Sequence, residues 1–201
     1  RRPRRRARSR FVPGEGGLGF SQMLEPGALD VVFNLGADER AIPPGAFLIY
    51  QGTHGDAGAS RADVILPGAA YTEKSATYVN LEGRVQMTNR AGFPPGDARE
   101  DWAILRALSD VLGKRLPYDS LGALRKAMYA EHPHLAAVGA VEPSDAAATL
   151  DKLAGLPGNS EKTAFTSPVA DFYLTNPIAR ASRVLAECSG LARGRALEAA
   201  E

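Results

Sequence analysis

Four groups of residues have types and spacings that can do chemistry. Gly14-Glu15-Gly16-Gly17-Leu18-Gly19 fits G-x-G-x-x-G, with Asp38 about twenty residues further on, the layout that seats a pyrophosphate on a helix N-terminus. That fingerprint needs a strand before it and a helix after it. Here an arginine run precedes it and Pro26 limits any following helix, so dinucleotide binding is set aside. His54 and Asp56 share the loop Gly52-Thr53-His54-Gly55-Asp56-Ala57-Gly58 just past an apolar run, where a His–Asp pair can move a proton. A loop histidine bonded to its surroundings is the commoner outcome. His132-Pro133-His134 beside Glu131 has H-x-H spacing for a metal, but solvent-facing side chains at a helix end explain it better. Cys188 falls on an apolar helical stripe and reads as a packed thiol rather than a reactive one. There is no G-x-x-x-x-G-K-[ST] phosphate loop and no serine in a nucleophile elbow. No catalytic, cofactor-binding or metal-ligating residue is assigned.

The elements that would position such groups are legible. Asp30 to Leu35, Ala46 to Tyr50 and Asp63 to Leu66 are near-continuous apolar runs, each ended by glycine or proline-glycine, as in a parallel sheet covered on both faces. Residues 71–90 read as extended structure with turns. Pro94-Pro95-Gly96 introduces a helix, with Asp97 as cap, Glu100 at capping-box spacing and Ile104, Ala107, Leu108 and Val111 on its inner face. Gly113, Lys114 and Arg115 suit its C-terminus. Ser120 begins a second helix with Leu121, Leu124 and Met128 inward, stopped by Pro133. Ser144 caps a short third one through Leu150 and Leu153. Asn176-Pro177 starts another, with Ile178, Ala181, Leu185 and Cys188 as one stripe, and the chain is expected to loosen beyond Gly190.

Composition sets firm exclusions. One cysteine cannot form an internal disulfide, nor hold an iron–sulfur cluster, which takes about four thiolates. No apolar run reaches the length of a membrane-spanning helix. The net charge of +1 hides an asymmetry: seven of the first ten residues are arginine, and of 24 basic residues the other 17 face 23 acidic ones. A mildly acidic body thus follows a basic arm, read as a targeting remnant or a tail on an acidic partner. With no interleaved aromatics, the arm lacks the stacking platform of a nucleic-acid site.

Residues 62–86, from Ala62-Asp63-Val64-Ile65-Leu66-Pro67-Gly68 through Glu73-Lys74-Ser75-Ala76-Thr77-Tyr78-Val79-Asn80-Leu81-Glu82-Gly83-Arg84-Val85-Gln86, resemble a segment of the large iron–sulfur subunit of respiratory complex I. The likeness runs on through Pro94-Pro95-Gly96-Asp97-Ala98-Arg99-Glu100-Asp101-Trp102 and Leu116-Pro117-Tyr118-Asp119, and to Asp171-Phe172-Tyr173 and Arg180-Ala181-Ser182. It covers about residues 30–190. Molybdopterin oxidoreductases share the frame but usually carry glycine where this chain has Ala76. A Cβ there obstructs close backbone approach to a ligand. The resemblance therefore implies a cofactor-free copy of the fold, with Asn80, Glu82 and Arg84 hydrogen-bonding within an old cofactor cleft.

The expected fold is α/β: an incomplete molybdopterin-oxidoreductase-like parallel sheet with flanking helices, then a helical C-terminal region. The division is a basic, Gly/Pro-rich arm at 1–29, an α/β portion at 30–140 and a helical extension at 141–201. The resemblance implies a structural, non-redox part of the peripheral NADH-oxidising arm of complex I, on the matrix side of the mitochondrial inner membrane, with the cytoplasmic face of a bacterial membrane as the less favoured location. No cofactor is expected in this chain; FMN and iron–sulfur clusters belong to partner chains. The expected partners are the N-terminal, cluster-bearing part of the same subunit and other peripheral-arm subunits, with no nucleic acid and no membrane span. The family's cysteines lie N-terminal to this region, so the subunit is either encoded in two pieces or represented by a fragment. The alternatives are a piece of an active molybdopterin enzyme and a nucleic-acid-binding module driven by the arm.

Overall fold

The computed structural model describes residues 16–141, 147–156, 158, 163–165, 167, 169 and 171–198. Strands β1 (Val31–Leu35), β2 (Phe47–Gly52) and β3 (Val64–Pro67) form a parallel sheet in the order β1-β2-β3. The register sets Val31, Val32, Phe33, Asn34 and Leu35 against Phe47, Leu48, Ile49, Tyr50 and Gln51, and Ile49, Tyr50, Gln51 and Gly52 against Val64, Ile65, Leu66 and Pro67. A four-residue helix α1 (Phe20–Met23) precedes the sheet.

The sheet is covered unequally. Leu48, Tyr50 and Gln51, all on β2, are the largest fully buried side chains. On the face of Phe33 and Ile49, by contrast, Val31, Leu35, Phe47 and Val64 are 38–54% exposed. A sheet covered on both faces was expected; among the described residues this face keeps exposed apolar side chains along its rim, and on the other face Ile65, at the β3 edge, is 57% exposed. Parallel strands are normally buried on both sides, so this face lacks a layer.

Beyond β3, residues 68–90 make an antiparallel pair, β4 (Thr77–Val79) and β5 (Val85–Met87), joined by a turn in which Gly83 takes φ +91°. Helix α2 (Asp101–Val111) begins at Glu100, not at Asp97 as capping-box spacing suggests. The reason is local: Arg99 bridges to Gly68, with Arg99 N donating to Pro67 O (3.1 Å) and Ala69 N to Arg99 O (2.8 Å). Backbone engaged in extending β3 cannot turn into a helix. Glu100 accepts instead from the Trp102 indole at 2.6 Å.

The inward face of α2 also differs from the apolar stripe. Arg106 and Ser109 are buried, while Val111 is 85% exposed. Arg106 lies between Asp110 Oδ2 (2.7 Å) and Asp119 Oδ1 (2.6 Å), and also donates to Tyr118 O. Ser109 Oγ donates to Arg106 O and accepts from Leu116 N. These bonds rotate the helix so that its charged face seats the loop to the next helix. Gly113, with φ +68°, closes α2: its N–H donates to Asp110 O, and that of Lys114 to Ser109 O.

Helix α3 (Leu121–Glu131) is capped by Ser120, whose side chain accepts from Ala123 N, and it half-buries Leu121, Leu124 and Met128 as expected. A 3-10 turn follows at Pro133. Helix α4 (Ala147–Ala154) is present, but its expected cap, Ser144, lies outside the described residues. Asn176 caps α5 (Pro177–Ala181) as expected. The stripe through Cys188 is interrupted: Ser182 is extended at ψ 119°, and α6 (Arg183–Glu198) starts afresh and stays helical past Gly190. Cys188 is a free, half-buried thiol rather than a core one.

Two outcomes are expected. The isolated chain binds a hydrophobic dye and melts without a cooperative transition, because its sheet rim stays wet; a sharp calorimetric transition for the purified chain would contradict this. Asp119 is held below the ordinary carboxylate pKa, chiefly by hydrogen bonds from Arg106 and then Arg115. A carboxylate depressed in this way stabilises the fold above its ordinary pKa of about 4 and stops doing so as pH falls through the lowered value. In the assembled protein, the hydrogen-exchange protection that Arg106→Gln removes from α2 is therefore largest near neutral pH. It shrinks in acid; an unchanged difference at about pH 3 would refute the pairing.

Candidate functional site

The carboxyl ends of the three strands open onto a cleft of about 710 Å³, the position at which open α/β sheets bind ligands. Gly36 ends β1 with φ +65° and Gln51, Gly52 and Thr53 supply the floor. Ala69, Tyr71, Lys74 and Tyr78 form one wall. Asp101 comes from the first turn of α2, and Asn176, Pro177 and Ile178 from the start of α5.

Two polar knots set its electrostatics. In the first, the Tyr50 hydroxyl donates a short hydrogen bond to buried Asp38 and accepts from Gly55 N at 3.1 Å. Burial first, and then the Asp38 bond, push the Tyr50 hydroxyl far above its ordinary pKa, so it stays protonated. Asn34 fixes the surrounding loops: its Nδ2 donates to Gly58 O (3.2 Å), and Gly58 N donates to Asp38 O (2.7 Å). A Cβ on Gly58 would collide with Ala37 O and stand 2.8 Å from Asn34 Nδ2, so glycine is required there.

In the second knot, Asp101 accepts from Lys74 Nζ in a short ion pair and from Gln51 Nε2 at 3.0 Å. Gly68 lets it come near: a Cβ there would lie 2.9 Å from Asp101 Oδ1. Gln51 is fully buried, and its Oε1 has no hydrogen-bond partner. Lys74 is the one cation among the residues lining the cleft, facing Asp38 and Asp101. The described wall is thus net negative, and its cation is already engaged. A phosphate-bearing pterin does not fit this set, which offers no free positive group to meet it.

The residues singled out from the sequence fall as follows. Gly16 to Gly19 lead into α1, only four residues long; Gly14 and Glu15 lie outside the described residues. His54 is exposed and its Nδ1 is 2.8 Å from Thr53 Oγ1, while Asp56 accepts from Arg180 Nε at 2.5 Å, so the His–Asp pair does not form. His132 and His134 stack edge to face, and no described trio of His, Cys, Asp or Glu is placed to hold a metal. Asn80, Glu82 and Arg84 do hydrogen-bond one another, with Arg84 Nη1 also donating to Gly139 O at 2.7 Å. They do so in the β4–β5 turn, not in the cleft. Ala76 lies on the wall of a second, smaller cleft beside α3. The Lys74–Asp101–Gln51 knot was missed: its members are 27 and 50 residues apart, and no short motif links them.

In the assembled protein, Asp101→Ala strips an ion-pair partner and a buried amide's acceptor, and is expected to cost about 1–3 kcal/mol. Asp101→Asn keeps an acceptor and costs less. Equal thermal shifts for the two variants would show that Gln51 does not depend on this group.

Comparison with known proteins fits this geometry. Residues 2–111 match the molybdopterin oxidoreductase family, and residues 140–188 match a family defined by the C-terminal region of an NADH-ubiquinone oxidoreductase subunit. The first match reaches back into the stretch that sequence reading left outside the resemblance. The chain is 48% identical over 162 residues to the NADH-ubiquinone oxidoreductase 75 kDa subunit of Reclinomonas americana, covering 80% of this chain and 23% of that protein. It is 47% identical over 180 residues to the mitochondrial 78 kDa subunit of Candida albicans, and 49% over 165 residues to that of Neurospora crassa. Those alignments cover 85% and 79% of this chain, and 25% and 22% of the relatives. The chain thus spans about a quarter of the length of these relatives. With more than half of its residues matched, and a parallel sheet whose carboxyl ends open onto a ligand-sized cleft, the chain belongs to the molybdopterin oxidoreductase family.

Proposed function

We propose that this chain is a structural, cluster-free part of the peripheral, NADH-oxidising arm of complex I, supporting electron transfer from NADH to quinone coupled to proton translocation without itself carrying electrons. One observation carries the reading: roughly half-identity to large-subunit relatives, joined in the same chain to a match with the C-terminal region of an NADH-ubiquinone oxidoreductase subunit. The cleft supports it, since each charged side chain lining it already has a partner within the chain. The exposed apolar rim of the sheet supports it as well, because a partner layer would bury that rim.

On this reading the arm at 1–29 lies on a neighbouring subunit or a lipid surface, the α/β portion at 30–140 docks the cluster-bearing half, and the extension at 141–201 completes the contact. FMN and iron–sulfur clusters reside in those partners, and none is held here. No described helix is long and apolar enough to cross a membrane. The proposed location is the matrix side of the mitochondrial inner membrane. Native mass spectrometry of the affinity-tagged chain tests this. A flavoprotein and a cysteine-rich iron–sulfur chain are expected to co-purify with it, and their consistent absence would refute the reading.

A further inference from the structure

The cleft at the carboxyl ends of the strands holds one charge that its own residues do not balance. Its charged lining is Asp38, Lys74 and Asp101, two carboxylates against one cation. Lys74 Nζ is in short contact with Asp101 Oδ2, so that pair is neutral. Asp38 is only 7% exposed, and the hydroxyl it accepts from, that of Tyr50, is uncharged. Among the described residues Asp38 has no ion-pair partner. The aromatic walls are free as well. Tyr71 and Tyr78 are 60% and 38% exposed, and the cations described over aromatic rings sit on Phe20 and Phe93 instead.

A nearly buried carboxylate answered only by a neutral hydroxyl is disfavoured, and more so once a neighbouring layer displaces the water in front of it. An exposed aromatic face attracts a cation and also packs against methylene groups. One kind of group suits both: a cation on an aliphatic stem. A bare metal ion does not, since no described trio of His, Cys, Asp or Glu is placed to hold one and the rings would go unused. The source is a polypeptide because the cleft is continuous with the uncovered part of the sheet. Leu35, 53% exposed, belongs both to the cleft lining and to the apolar rim, so a chain laid over that rim passes the mouth of the cleft.

We propose that this cleft receives one lysine or arginine side chain from a partner polypeptide, its cation beside Asp38 and its stem against Tyr71 and Tyr78. The inference rests on the reading above, in which the chain works inside a larger assembly, and it names the chemistry of one contact. Asp38→Asn in the intact assembly supplies the test, because asparagine still accepts from the Tyr50 hydroxyl but carries no charge. The variant chain is expected to leave the assembly about tenfold faster than the wild type at low salt, with the difference shrinking at high salt. Hydrogen-exchange protection of β2 reports in the same sample whether the fold is intact. Unchanged dissociation with β2 still protected overturns the proposal. If β2 loses its protection, a cryo-EM map of the wild-type assembly decides. A lysine or arginine of another chain beside Asp38 supports the inference; an arginine from residues 1–10 of this chain, a metal ion, a lipid headgroup, a neutral side chain or water alone overturns it. Failure of the chain to co-purify with any complex I partner sinks the reading beneath; an assembled chain without the contact sinks only this one.

Discussion

Strand β2 is paired on both sides, and the rest of the described structure hangs on it. Its neighbours β1 and β3 are each hydrogen-bonded to it alone within the described sheet. Leu48, Tyr50 and Gln51 are successive landmarks along it, and each does a different job. Leu48 fills the covered face, and its backbone N–H donates to Asp63 at 2.7 Å. Tyr50 ties the loops after β1 and β2 together through Asp38 and Gly55. Gln51, on the opposite face, reaches α2 through Asp101. A parallel ladder is slightly weaker per residue than an antiparallel one and relies on burial from both sides. Here the middle of β2 has that burial, while Val31, Leu35 and Phe47 at the strand ends do not.

The cleft keeps the shape of a ligand site while its polar groups serve the protein. Charges about 4 Å apart interact by about 4 kcal/mol at an effective dielectric near 20. At that scale a single free cation would matter for an anionic ligand, and Lys74 is not free: Asp101 neutralises it, and Asp38 adds a further negative charge. The Tyr50 hydroxyl, raised in pKa by burial and by Asp38, is locked as a protonated donor rather than poised as a base. Each knot joins two elements of the fold. Fixing geometry is the work these contacts do.

Where the sequence was legible, local physics decided the outcome. The three apolar runs became strands at nearly their expected bounds because continuous Val, Ile and Leu runs of that length suit a buried parallel strand. Ser120 and Asn176 capped helices because a cap acts only on the next few amides. Long-range contacts decided the misreadings. Asp97 did not cap α2 because Arg99 was drawn to Gly68 and Pro67, some thirty residues away in sequence. The stripe through Val111 did not turn inward because Asp119, in the following loop, fixes Arg106 instead. The cleft's central knot was hidden for the same reason: Gln51, Lys74 and Asp101 meet only once the sheet and α2 have packed.

The C-terminal segment shows how the two matched regions form one unit. Asn176, Pro177 and Ile178, within the NADH-ubiquinone oxidoreductase match, wall a cleft whose floor comes from the molybdopterin oxidoreductase match. Their hold on the sheet is polar: Arg180 donates to Asp56 in the loop after β2 and to Leu174 O, with Glu39 at 3.9 Å. Behind them Asp171 caps the 3-10 turn at Phe172, accepts from Ser189 Oγ at 2.5 Å and pairs with Arg193, fastening α6 to the same point. Few apolar side chains of α5 and α6 are buried, so packing alone does not fix them. Charged and capped contacts of this kind are weak one by one but specific in geometry. They position a wall rather than drive folding. A cleft whose floor and wall come from different regions keeps its shape only while both are in register.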